Sequence, residues 1–204
     1  MNTVIEIVGR RGLGQDRATI SRRDNRLCAV VADGAGGTAG GARAAEHIVA
    51  CVAATEIRTI EDCADLLIAL DKKLEGIGQS TAVIAVTDGN VVWGASAGDS
   101  EALLIRPDEV IHLTEHQHKK PLLGSGAAVP VAFGPYFYQG FMVLGSDGLF
   151  KYAPIATIEH SIRSTPLSMA GRRLVDLVRL RNKELQDDVS VIVVENSPSC
   201  RASG

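Results

Sequence analysis

The chain is short of the features that mark several whole classes of protein. Aromatic residues make up only 4% of its 204 residues, and its formal net charge is −3. No basic stripe interleaved with aromatics runs through it; the arginines are scattered apart from pairs such as Arg10-Arg11 and Arg172-Arg173. A nucleic-acid surface needs clustered cations, so no nucleic-acid partner is expected. The four cysteines, Cys28, Cys51, Cys63 and Cys200, form no Cys-x-x-Cys pair. Their spacing suits neither a zinc site nor a disulfide framework. Cys28 and Cys51 sit in apolar runs and read as small buried hydrophobes, which points to a reducing, cytoplasmic setting. No apolar run reaches the ~20 residues that span a bilayer. Met1 to Gly12 lacks the apolar core of a secretory leader. No membrane partner is expected.

What is present is an ordinary globular composition, 46% hydrophobic and 22% charged, in a chain long enough to bury a core. No repeat or linker divides it. A single domain is expected over residues 1–195, with a disordered tail over 196–204. Alternation predicts a strand over 3–8, and strands over 17–22 and 27–32 joined at Asp24-Asn25. Ala45, Ile48, Val49 and Val52 recur at helical spacing within 41–54; Leu66, Leu67 and Leu70 do so within 61–74. Asp88-Gly89 joins strands over 80–87 and 90–97, and Pro107-Asp108 joins 101–106 to 110–113. Residues 114–135, with Pro121, Gly124, Gly126, Pro130, Gly134 and Pro135, read as loop throughout. A strand over 141–144, helices over 154–162 and 167–180, and a strand over 189–194 complete the chain. Helices come in pairs between groups of strands, not after every strand. That order argues against a regular parallel sheet. It predicts an α+β fold of mainly antiparallel sheets with helices packed outside.

The chemistry lies at the strand ends. Val31-Ala32-Asp33-Gly34 and Leu144-Gly145-Ser146-Asp147-Gly148 each run from an apolar stretch into Asp-Gly. Ala97-Gly98-Asp99-Ser100 and Asp187-Asp188-Val189-Ser190 place further carboxylates beside strands. Singly, each Asp-Gly is ordinary turn chemistry. Together, Asp33, Asp99, Asp147 and Asp187 form an all-oxygen donor set with no His or Cys at ligand spacing. Such a set favours Mn²⁺ or Mg²⁺ over zinc or copper. Divalent cations offset the repulsion of gathered carboxylates, and two of them can lower the pKa of a shared water towards neutrality. A hydroxide nucleophile then needs no nucleophilic side chain.

In order, Gly14-Gln15-Asp16, Asp33-Gly34-x-Gly36-Gly37, Gly98-Asp99-Ser100, Ser146-Asp147-Gly148-Leu149-Phe150 and Asp187-Asp188-x-Ser190-Val191 resemble the motifs of metal-dependent Ser/Thr protein phosphatases of the PPM (type 2C) family, in a compact bacterial form. The resemblance runs from about Arg10 to Val194. It implies a four-layer α-β-β-α sandwich, two core ions and a weaker third, and a phosphoprotein substrate opposing a Ser/Thr kinase. It implies that Asp33 bridges the two ions, with the Gly34 carbonyl on the second and Asp147 and Asp187 on the first. Asp99, with Asp147, would hold the third ion, and Asp16 would hold metal-bound water. Arg11, five residues before Asp16, falls at the phosphate-clamp position, where a guanidinium fork suits a phosphoryl group; Arg10 is the alternative. The chain is expected to act as a monomer.

Departures from the family pattern are informative. Ala35 stands where many eukaryotic members carry a His assigned to protonate the leaving group, and Thr38 where many bacterial members have another His. Glu101 replaces a common Arg, Lys151 a common Asp, and Asp188 a commoner Asn. No core ligand is lost.

Three other readings compete. Gly34-Ala35-Gly36-Gly37 could pass for a dinucleotide loop, but Asp33 would face the pyrophosphate with the wrong charge. His112, His116 and His118 fall on a polar stretch and read as a solvated loop, not a transition-metal site. Trp93 and the leucine-rich helices read as core. The non-enzymatic alternative is a pseudophosphatase-like module that only binds phosphoproteins. Retention of every core Asp speaks against it, because binding alone does not need a costly carboxylate cluster.

Overall fold

The computed structural model describes residues 1–35 and 39–196. The Gly36-Gly37 half of one motif, Thr38, and 197–204 of the expected tail lie outside the described residues. Strands β1 (Asn2–Val8), β2 (Arg17–Arg23), β3 (Arg26–Ala32) and β4 (Gly34–Ala35) lead into helices α1 (Ala39–Ala54) and α2 (Ile60–Lys73). Strands β5 (Gln79–Ser80), β6 (Ala82–Thr87), β7 (Val91–Ala97), β8 (Glu101–Ile105), β9 (Val110–His112), β10 (Val131–Phe137) and β11 (Gly140–Gly145) follow. Helices α3 (Asp147–Phe150), α4 (Ile155–Ser164) and α5 (Leu167–Leu177) precede the last strand, β12 (Val189–Asn196).

Two five-stranded sheets form, in the orders β1-β12-β11-β8-β9 and β10-β7-β6-β3-β2. Every strand pair between described residues is antiparallel. The side-chain period of two then sorts the apolar residues into layers. On β3, Leu27, Ala29 and Val31 face the other sheet, where they meet Leu104, Met142, Leu144 and Ile192. Val30 and Ala32 face α1 and α2 and pack with Ile48, Val52, Leu67 and Leu70. Leu103, Val143, Val191 and Val193 point the opposite way, onto Ile158, Ile162, Leu174 and Val175 of α4 and α5. The result is the α+β fold of antiparallel sheets with helices outside that the order of elements predicts, in the four-layer sandwich that the resemblance implies. Fully buried side chains of this size each contribute about 1.5–3 kcal/mol relative to exposure, so the strands hold mainly through these layers.

Helix α2 begins where its sequence says it should. Thr59 accepts from the Asp62 N–H at 3.2 Å, and the Asp62 carboxylate accepts the Thr59 N–H at 2.9 Å. This reciprocal cap satisfies two donors that a helix start leaves open. Lys72 and Lys73 lie in its last turn, where cations suit the helix dipole.

Three details differ from the sequence reading. Residues 131–137 form β10, not loop. This strand lies on a sheet edge beside β7, with its register shifted between Phe133 and Tyr136. A proline has no N–H for the ladder, and an edge with a bulge is where a strand tolerates one. Asn196 ends β12, not the tail, and its side-chain amide donates to the Gly89 and Tyr138 carbonyls at 2.8 and 2.9 Å. Helix α5 ends at Leu177, and the chain beyond it turns through a tight loop bridged between Arg179 and Leu185.

Candidate active site

Asp33 follows β3 directly. Its N–H donates to Thr81 Oγ1 at 3.1 Å, and its carbonyl accepts the Thr81 N–H and the Ser80 hydroxyl, both at 2.8 Å. Thr81 Oγ1 also lies 2.6 Å from Ser100 Oγ. Two hydroxyls therefore staple the tip of β3 to the turn that carries Asp99. Gly98 makes this possible: it sits at φ +98°, and a Cβ there would come within 2.7 Å of Thr81 Cβ. Only glycine fits both the conformation and the space.

Asp147 opens α3 at the end of β11, and Asp187 stands just before β12. The two tips are held side by side. The Ser146 N–H donates to the Ser190 carbonyl and the Ser190 N–H to Ser146 Oγ, each at 3.0 Å. Asp33, Asp99, Asp147 and Asp187 thus reach one cleft of about 840 Å³ from four separate strand junctions. Gly34 and Ala35 line it too, and Arg10 and Arg11 stand exposed on its rim. Asp16 is not on the wall. It is buried behind it, near Asp33, Ser146 and Ser190, and neither of its carboxylate oxygens has a hydrogen-bond partner.

The electrostatics are those of crowded carboxylates. Burial, then the charges of Asp16, Asp147 and Asp187, push the Asp33 carboxyl far above the usual range. Burial raises Asp16, with Asp188 adding to it, while the hydroxyls of Ser146 and Ser190 lie near enough to lower it in part without meeting hydrogen-bond geometry. Burial raises Asp147, and Asp187 and Asp99 outweigh the nearby Lys151. Such groups bind protons or cations in preference to standing ionised together. Among the described residues, no three His, Cys, Asp or Glu side chains close around one point; the carboxylates share the cleft while like-charge repulsion acts between them. The oxygen-only donors that line the cleft fit hard divalent cations, which supply the missing countercharge.

Several residues of the cleft carry no assignment from the sequence. Asp188 accepts the Arg10 N–H at 2.7 Å and the Gln15 N–H at 2.6 Å, one on each carboxylate oxygen. It closes the loop that presents Arg10 and Arg11. Gly14 sits at φ +64°, and a Cβ there would lie 2.6 Å from that carboxylate. The Asp187-Asp188 doublet was a visible signal, but only for a ligand, not for a loop anchor. Lys119 and Lys120 also line the cleft. Their segment is tied in by the Gly98 N–H, which donates to the His118 carbonyl at 3.0 Å. Nothing in local spacing announces that contact. His116 and His118 are exposed, but His112 is not part of a solvated loop. It lies half-buried on β9 with Nε2 2.8 Å from Glu101 Oε2.

The Stage II sporulation protein E (SpoIIE) family model matches residues 23–197. No curated protein matches the chain. Among solved structures, a bacterial serine phosphatase is similar with a TM-score of 0.81 and 17% identity, covering 97% of this chain and 98% of that one. The catalytic domain of the serine threonine protein phosphatase PstP, in complex with 2 manganese ions, is similar with a TM-score of 0.78 and 18% identity, covering 94% and 96%. RsbX in complex with magnesium is similar with a TM-score of 0.74 and 16% identity, covering 95% and 94%. These likenesses establish a shared fold.

Proposed function

Since the chain belongs to the Stage II sporulation protein E (SpoIIE) family, we propose that it is a divalent-metal-dependent protein phosphatase that hydrolyses phosphoserine and phosphothreonine esters. The observation that carries this reading is the meeting of Asp33, Asp99, Asp147 and Asp187 in one cleft, with two arginines on its rim. The manganese in PstP and the magnesium in RsbX support it.

Asp33, the Gly34 carbonyl, Asp147 and Asp187 would hold two core ions, and Asp99 with Asp147 a weaker third. When bound, the ions would supply a hydroxide nucleophile for the phosphate ester and a countercharge for the phosphoryl oxygens. Asp16, buried behind Asp33, would hold metal-bound water by hydrogen bonds. Arg11 grips the phosphoryl oxygens with its fork, and Asp188 keeps the loop beneath it in shape. Thr81 and Ser100 hold the Asp33 and Asp99 tips at a fixed separation. The protein acts as a monomer on phosphoproteins that a Ser/Thr kinase has modified.

The test is turnover of an aryl phosphate and a phosphoserine peptide in Mn²⁺ or Mg²⁺, before and after chelation. Both reactions should require the metal, and Asp33→Ala should lose at least about 100-fold in each. Turnover by thoroughly metal-stripped protein, or full activity in Asp33→Ala, overturns the reading. Phosphopeptide binding with no turnover identifies the binding module instead.

A further inference from the structure

A second cleft, of about 560 Å³, opens on the other side of the Arg10-Arg11 ridge. Both arginines line it as well as the carboxylate cleft, so the two spaces share one wall. Across from them stand Arg179 and Lys183, with Glu184 the one acidic residue among those lining it. Four cationic side chains therefore line the cleft with one carboxylate, and one of the four, Arg179, is already paired with Asp176. Asn182 Nδ2 donates to Glu184 Oε2 at 2.8 Å, which orients that carboxylate and leaves its charge in place, so the cations still outnumber it.

The far wall is built, not loose. The Leu180 N–H donates to the Glu184 carbonyl at 2.9 Å and the Lys183 N–H to the Leu180 carbonyl at 2.8 Å. Arg179 Nε donates to Asp176 at 3.0 Å, and its Nη1 to the Lys183 carbonyl at 2.9 Å. Lys183 itself is held at φ +68°, a conformation that a side chain with a Cβ rarely adopts without a reason. The turn would close more easily on glycine; instead it places a lysine on the wall of the cleft.

We propose that this cleft docks acidic residues flanking the phosphoresidue, and so makes the enzyme select phosphoproteins with Asp or Glu beside the phosphorylation site. The proposal rests on the phosphatase reading above. A substrate held by its phosphate against Arg11 has only the Arg10-Arg11 ridge to cross before its neighbours reach Arg179 and Lys183. An extended chain advances ~3.3–3.6 Å per residue, so residues close in sequence to the phosphoserine are the ones engaged. Exposed cations of this kind steer and select more than they anchor.

The test compares kcat/KM for matched phosphoserine peptides whose flanks are Glu, Ala or Lys on either side, with p-nitrophenyl phosphate as a substrate too small to reach the second cleft. Glu flanks should win over Ala by about five- to tenfold, as two or three exposed ion pairs supply, mainly through KM, with the advantage fading in high salt. Lys183→Glu should invert the preference towards Lys flanks, and Arg179→Ala should erase it. Aryl phosphate turnover with no flank preference, or a preference that survives Lys183→Glu, overturns the docking proposal and leaves the phosphatase reading standing. Failure to turn over the aryl phosphate with Mn²⁺ overturns both.

Discussion

One carboxylate, Asp188, holds the N-terminal loop through two backbone N–H bonds at 2.6 and 2.7 Å. Charge-assisted bonds of this length are among the stronger ones in proteins. Asp188→Ala should therefore free Arg10 and Arg11, raising KM for phosphopeptides severalfold with a stability loss of about 1–3 kcal/mol. Arg11→Ala should raise KM in the same way, because a clamp acts on ground and transition states alike. Steady-state kinetics with Mn²⁺ affinity measured in parallel checks both; an unchanged KM in Asp188→Ala would remove its positioning role. Ala35 is the other informative residue. It lines the cleft as a bare methyl, so it cannot protonate a leaving alkoxide, a step worth ~10²–10⁴-fold in rate. The expected outcome is a kcat/KM that falls steeply as leaving-group pKa rises across aryl and alkyl phosphates, and a shallower slope in Ala35→His. A flat dependence with chemistry rate-limiting would show that another acid is in place.

Among the elements, the segment between β9 and β10 depends most on its neighbours. Its downstream half is anchored on α2. The buried Asp71 accepts the N–H groups of Gly124 and Gly126 on Oδ1, at 2.7 and 3.1 Å, and that of Ala128 on Oδ2, at 3.0 Å. A single helical carboxylate thus adds to the one antiparallel bridge of this stretch, between Leu123 and Ser80. Its upstream half is tied to Gly98 through His118. Asp71→Ala should leave three part-buried donors to find water or go unpaired and cost about 2 kcal/mol, which in a chain of this size lowers Tm by roughly 4–8 °C. Thermal unfolding checks this, and Asp71→Asn, which keeps the shape and one acceptor oxygen, should fall between. A melting point unchanged in Asp71→Ala would mean that water replaces the carboxylate without loss.

For the molecule as a whole, the cleft sets how stability responds to pH and metal. Asp16, Asp33 and Asp147 are all raised above their ordinary range in the folded protein. The folded state then binds protons more tightly than the unfolded chain. The stability this contributes is complete below the ordinary carboxylate pKa of ~4 and is lost as pH rises through the folded values. In chelator, Tm should therefore be lower at about pH 8 than at about pH 5.5. Saturating Mn²⁺ should remove most of that difference, because the cations replace the protons. At about 100 times Kd one ion adds about 2.7 kcal/mol, so Tm at pH 8 should rise by about 5 °C or more. Scans with and without Mn²⁺ at both pH values decide it; a metal-free protein more stable at pH 8 would contradict the electrostatics of the cleft.

Much of this molecule was determined locally. Period-two and helical spacing marked the core strands and α1, α2, α4 and α5, because pleat and helix geometry repeat within a few residues. Asp33, Asp99, Asp147 and Asp187 stood out because each follows or precedes an apolar strand at a turn. No helix among the described residues is long and apolar enough to cross a membrane, which composition also indicated. Other features were decided only by folding. Strand β10 was hidden because Gly134 and Pro135 break its local pattern, and pairing with β7 makes it a strand all the same. Asp188 and Asp71 act on segments distant in sequence: Asp188 grips a loop 173–178 residues away, and no spacing rule reaches that far. The basic cleft joins residues 8–11, 152 and 179–186, which become neighbours only when β1 pairs with β12. Backbone geometry is a property of neighbours along the chain, whereas charge and hydrogen-bond complementarity at a cleft are properties of neighbours in space.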